Sequence, residues 1–90
     1  MLEAEVKVIN RLGLHARAAA QLVRLAGQFK SDVKLMRSDN NVVADAKSIL
    51  SVLRLAAACG ALLKIEADGA DEQKAIAAIK ELFSNGFGEI

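Results

Sequence analysis

The chain has no proline, no tryptophan and no tyrosine, and its 90 residues include a single cysteine and a single histidine. One cysteine, Cys59, can form no intrachain disulfide and no multi-cysteine metal site, so a reducing compartment suits the chain and no metal ligation is expected. Aromatic residues make up only 3% of the chain, all of them phenylalanine. A ferredoxin-like RNA-binding domain would need strand aromatics on which bases stack, and a metal-binding one a Cys-x-x-Cys loop; neither is present. The formal net charge of +1 gives no bulk attraction to nucleic acid or anionic lipid, so recognition has to be local. No apolar run is long enough to span a bilayer, and Met1 to Lys7 lacks the basic-then-apolar layout of a secretory signal, which predicts a cytoplasmic protein. Neither Gly-x-x-x-x-Gly-Lys-Ser/Thr nor Gly-x-Gly-x-x-Gly occurs, so no nucleotide site and no cofactor are expected.

What is present reads as an ordinary globular chain, 53% apolar and 26% charged, and its length predicts one domain over residues 1–90. Much of the apolar share is alanine, which predicts a thin core of Val, Leu, Ile and Ala, with Phe29, Phe83 and Phe87 as its only large rings. From Glu3 to Ile9 the residues alternate, Ala4, Val6 and Val8 against Glu5 and Lys7, the period of a strand with one wet face. An alanine-rich helix follows from Ala16 to Ala26, with Ala19, Leu22, Val23 and Ala26 on one face and Gly27 as its terminator. Val33 and Leu35 alternate with Asp32 and Lys34, then Ser38 to Asn41 supplies a turn before Val42-Val43-Ala44, predicting a hairpin. A short helix from Ser48 to Leu55, a strand around Leu63 and Ile65, and a helix from Asp71 to Ser84 complete the order βαββαβα. Half-polar strands with amphipathic helices predict an α+β open-faced sandwich: a four-stranded, largely antiparallel sheet with three helices on one face. Strand order is not legible from periodicity.

The one histidine, His15, stands in Arg11-Leu12-Gly13-Leu14-His15-Ala16-Arg17, between a glycine loop and a helix start. The first N–H groups of a helix have no helical partner and bind anions, here those of Ala16 and Arg17. A phosphoryl group on the imidazole would meet them, and the positive helix end favours a neutral, nucleophilic ring. Arg17 is placed to pair with the phosphoryl oxygens.

Gly13-Leu14-His15-Ala16-Arg17-Ala18-Ala19 resembles the active-site signature of HPr, the histidine-containing phosphocarrier of the bacterial phosphoenolpyruvate-dependent phosphotransferase system, and of its nitrogen-related paralogues. A second family signature is similar to Ala46-Lys47-Ser48-Ile49-Leu50-Ser51-Val52-Leu53, and the likeness extends to Asp71-Glu72-Gln73-Lys74-Ala75 and to Gly86-Phe87-Gly88-Glu89. The resemblance implies that enzyme I, charged by phosphoenolpyruvate, donates to Nδ1 of His15, and that the phosphoryl group passes to a histidine of an enzyme IIA component, for sugar uptake or nitrogen-type regulation. It also implies a monomeric stoichiometric carrier rather than a turnover enzyme. Where the family usually has proline after the active-site arginine, this chain has Ala18, which keeps the helix but loosens its start.

Ser48 reads first as the N-cap of the second helix. The resemblance adds that it falls on the serine modified by HPr kinase/phosphorylase in some bacteria. Ile49, Leu50 and Leu53 cannot all face inward on one short helix. In the family this helix and the one after the active histidine form a docking face, which here would use Leu14, Ala16, Ala20, Ile49, Leu50 and Leu53, ringed by Arg17, Arg24, Lys47 and Arg54. Cys59 reads as a small buried or semi-buried residue. The competing reading is a non-catalytic HPr-like docking module that controls a kinase or transcription factor.

Overall fold

Strand β1 runs over Leu2–Lys7 and keeps the alternation of the sequence, with Glu3, Glu5 and Lys7 exposed and Val6 buried. The computed structural model describes residues 1–89. After β1 come helix α1 (Ala16–Ala26), strands β2 (Asp32–Arg37) and β3 (Val43–Asp45), helix α2 (Ile49–Arg54), strand β4 (Leu62–Asp68), helix α3 (Glu72–Ser84) and a short 3-10 turn over Gly86–Gly88. The predicted order βαββαβα and the open-faced sandwich are therefore observed.

The sheet order is β1-β4-β2-β3, and every neighbouring pair is antiparallel. The register lays Ala4, Ile65, Leu35 and Ala44 in one row across all four strands, and Leu2, Ala67 and Val33 in the next. Side chains of one strand face alternate, so these rows form the inner surface while Glu3, Glu66, Lys34 and Asp45 line the outer one. β1 ends two residues before the predicted limit because β4 begins at Leu62, opposite Lys7. Val8 stays fully buried and is held instead by its own N–H to Ala61 O at 2.9 Å and by the Gly60 N–H to its carbonyl at 2.7 Å.

The helices cover the inner face. α3 lies over β1 and β4 and packs on α1, which in turn meets α2. Alanine is what lets α1 sit this close: Ala18, Ala19 and Ala26 are fully buried beside Leu22, whose burial contributes about 1.5–3 kcal/mol. α3 inserts Ala75, Ile76, Ile79 and Phe83, and the Phe87 ring meets Phe83 edge-on at 5.0 Å between centroids. Phe29, expected in the core, is only half-buried against it. Among the described residues no helix is long and apolar enough to cross a membrane.

Asp71 stands at the N-cap of α3 but makes no side-chain cap bond. Its carboxylate accepts instead from the N–H groups of Lys30 and Ser31 at 2.8 and 2.9 Å and from the Ser31 hydroxyl at 2.5 Å, tying the α1–β2 loop to α3. The hydroxyl of Ser31 and then the Lys30 amide hold the Asp71 carboxyl down to about 2.

Candidate active site

The loop from Asn10 to Leu14 carries the site, and Gly13 shapes it. Gly13 has φ +67°, in the left-handed region, and a Cβ there would stand 2.5 Å from the carbonyl oxygen of Ala57. Only glycine meets both demands. Leu14 N–H then bonds Ala57 O at 2.9 Å, and the loop is pinned to the segment before β4. Asn10, fully buried, donates from Nδ2 to Gly13 O at 2.8 Å and so braces the turn from inside.

His15 is the N-cap of α1, with extended backbone (φ −76°, ψ −178°). Its Nδ1 accepts from the Arg17 N–H at 3.3 Å, the role that a Ser or Asp oxygen plays in an ordinary cap. Its Nε2 lies 2.6 Å from Oε2 of Glu89. These two partners determine the tautomer of the neutral ring: an amide N–H can only donate, so Nδ1 carries the lone pair, and a carboxylate can only accept, so Nε2 carries the proton. Glu89 is fixed in turn, because its Oε1 accepts from Asn10 Nδ2 at 3.0 Å. The Asn10 hydrogen bond, followed by that from His15, holds the Glu89 carboxyl below the usual carboxylate range, with a contribution from the charge of Arg17. Glu89 reaches His15 through the turn Gly86-Phe87-Gly88, whose three residues all have positive φ (63°, 58° and 74°). Phe87 is held in that conformation by its burial against Phe83 and by the Gln21 Nε2 hydrogen bond to its carbonyl at 3.3 Å.

His15, Ala16, Arg17 and Glu89 line one shallow depression with Arg11, Leu12 and Gly88. The structure thus brings together His15, Ala16 and Arg17 as expected, with one refinement: the Arg17 N–H points at Nδ1 itself rather than at open solvent. Arg17, Ala16 and Arg24 are exposed and Ala20 is half-buried. Ile49, Leu50 and Leu53 are all exposed, Leu50 the most at 68%, while Val52 and Leu55 turn inward. Two residues leave the expected docking face. Leu14 is buried in the core, because its amide is tied to Ala57 and its side chain follows the loop inward. Lys47 is half-buried and spends its ammonium on the carbonyl of Phe29 at 2.9 Å, away from the ring of charge expected of it. Ser48 is the α2 N-cap, its Oγ accepting from Ser51 N–H at 3.3 Å. Cys59, expected at least semi-buried, is exposed, with Sγ 3.7 Å from Ile9 O, because the chain from Ala58 to Gly60 lies on the surface. Glu89 and Asn10 were given no role from sequence; 74 residues separate Glu89 from His15, and no periodicity reports that approach.

The residues 2–85 match the family model described as the PTS HPr component phosphorylation site. The chain belongs to the HPr family. It is 51% identical over 89 residues to the phosphocarrier protein HPr of Cupriavidus necator, covering 99% of this chain and 98% of the relative. It is 40% identical over 84 residues to the phosphocarrier protein NPr of Escherichia coli, covering 93% and 92%. Among solved structures it is similar to HPr-C-His from Thermoanaerobacter tengcongensis, with a TM-score of 0.93 at 37% identity over 100% of this chain and 99% of that one. The protein is thus a phosphocarrier of the HPr type.

Proposed function

We propose that Nδ1 of His15 is the atom that takes the phosphoryl group, from enzyme I charged by phosphoenolpyruvate, and yields it to an enzyme IIA component. The observation that carries this reading is the division of labour on the ring: Nε2 is engaged by Glu89, whereas Nδ1 keeps its lone pair beside Arg17 and faces only a long 3.3 Å amide contact. An arriving phosphoryl group would displace that weak contact and take the same N–H onto one of its oxygens, with the guanidinium of Arg17 adding charge. Positioning and charge stabilisation are most of what such a transfer needs, and the partner supplies the rest, so the chain works as a stoichiometric cytoplasmic carrier.

The exposed side chains of Ile49, Leu50 and Leu53, with Ala16 and Ala20 on α1, form the face that meets those partners, and Arg17 and Arg24 favour acidic docking surfaces. Ser48 is the candidate for modification by HPr kinase/phosphorylase, where added charge at the edge of this face would weaken docking. Both the sugar and the nitrogen branch fit this site. Incubation with phosphoenolpyruvate and enzyme I should add one acid-labile, base-stable phosphoryl group, and His15→Ala should take up none. A His15→Ala variant labelled like the parent overturns the assignment.

A further inference from the structure

We propose that Arg37 is a positioning residue for partner docking, one whose guanidinium holds the end of α2 in register with the loop that carries His15. The proposal rests on the reading of α2 as part of the docking face and of enzyme I as the phosphoryl donor. Helix α2 has six residues, buries only Val52 and turns Ile49, Leu50 and Leu53 outward. A helix this short is not held by its own hydrogen bonds, so its ends have to be fixed from outside. Ser48 caps the first end, and Arg37, the last residue of β2, takes the other.

That second hold is built from one side chain. Arg37 Nη1 donates to the carbonyl of Leu55 at 2.9 Å and, at a longer 3.4 Å, to that of Ala56. Nε and Nη2 of the same guanidinium donate to Oδ1 and Oδ2 of Asp39 at 3.0 and 2.6 Å, which fixes the plane of the fork as it faces the helix end. Carbonyls at a helix end have no helical partner, and a cation suits that negative end. The next carbonyl, Ala57 O, accepts from Leu14 N–H at 2.9 Å, and the backbone of Gly13 lies directly against it. The carbonyls of residues 55–57 thus join β2, the docking helix and the residue before His15.

Ala56 shows why the hold is needed. Its φ of +50° lies in the left-handed region, where helices commonly place glycine just past their end. Alanine is strained there, and its side chain is exposed, so core packing does not impose that conformation. Arg37 bonds the carbonyl before the Ala56 Cα and the one after it, and so restrains the peptides on both sides of the strained residue.

The test compares the parent with Arg37→Met, which keeps the aliphatic stem and removes the fork, and with Arg37→Met combined with Ala56→Gly, where the left-handed position carries no strain. Phosphorylation by enzyme I and phosphoenolpyruvate is followed with this chain as the varied substrate. In Arg37→Met the KM should rise about fivefold, on the scale of one net hydrogen bond, while kcat changes by less than about twofold. The split is expected because Arg37 does not line the depression around His15. Amide exchange at Leu14, Leu55 and Ala56 should quicken in Arg37→Met and that of Ile65 in β4 should not, and the double variant should recover most of both changes. With Leu50→Glu run alongside and raising KM, a parental KM or parental Leu14 exchange in Arg37→Met overturns the proposal. Exchange that quickens equally at Ile65, or a KM that Ala56→Gly leaves as high, overturns it as well. A parental KM in Leu50→Glu overturns instead the docking reading of α2.

Discussion

His15 is the N-cap of α1 and, in the proposed function, also the nucleophile, two roles that are usually assigned to different residues. As N-cap it lends its Nδ1 lone pair to the Arg17 amide, and as nucleophile it would spend the same pair on phosphorus. The geometry of that atom depends on Gly13, where both φ +67° and the 2.5 Å approach to Ala57 O forbid a side chain. Gly13→Ala should therefore destabilise the fold by roughly 1–3 kcal/mol and also slow phosphorylation, since the loop has to shift to relieve the contact. Denaturant unfolding together with the labelling rate checks this; a variant as stable as the parent contradicts it. Ala18 offers the opposite experiment. The helical ladder starts with Ala19 N–H to His15 O at 2.8 Å, so the amide of Ala18 is not part of it and proline would cost no helical hydrogen bond. Ala18→Pro should stabilise the protein by roughly 0.4–1 kcal/mol through the unfolded chain. Ala18 is fully buried, so a less stable variant in thermal unfolding would mean that the packing around it has no room for the ring.

At the scale of elements, what could be read in advance was whatever repeats locally. The alternation in β1 and β2 and the 3.6-residue face of α1 reported their own burial, and α1 runs over Ala16–Ala26 as predicted. What failed depended on where another element lies. Leu14 looked like a surface residue beside His15 until Ala57 claimed its amide, and Lys47 looked like a free charge until Phe29 O lay within its reach. The strand order β1-β4-β2-β3 was likewise invisible, because periodicity carries no information on which strand pairs with which. α2 is the element whose use follows most directly from exposure: it buries Val52 and leaves Ile49, Leu50 and Leu53 in solvent. Leu50→Glu should leave unfolding unchanged within about 0.5 kcal/mol, since Leu50 is 68% exposed, yet weaken association with enzyme I at least several-fold. Calorimetric titration with enzyme I reads both the affinity and any loss of binding; unchanged affinity removes Leu50 from the docking face.

For the molecule as a whole, the site is assembled from its two far ends: the loop after β1 supplies His15 and Asn10, and the turn after α3 supplies Glu89. That arrangement explains why the signature around His15 was legible and its partner was not. A second long-range tie, Asp71 to Lys30 and Ser31, joins the α3 start to the α1–β2 loop, and its folded-state carboxyl lies near 2, below its usual 3.8. A lowered folded value means that the unfolded chain binds the proton more readily, so this stabilisation is complete above about pH 4 and is lost as the pH falls toward 2. Asp71→Asn should therefore be less stable than the parent at neutral pH, and the difference should shrink across that acid window in denaturant melts. A difference that stays constant from pH 6 to about pH 2 would assign the effect to something other than the carboxylate charge.

If Nδ1 of His15 takes the phosphoryl group while Nε2 keeps its proton, the two ring nitrogens report it separately. Long-range proton–nitrogen NMR of the imidazole, before and after labelling with phosphoenolpyruvate and enzyme I, tests it most directly. Nε2 should be protonated in both states, with a nitrogen–phosphorus coupling at Nδ1 in the second. Coupling at Nε2, or label on any other residue, would contradict it.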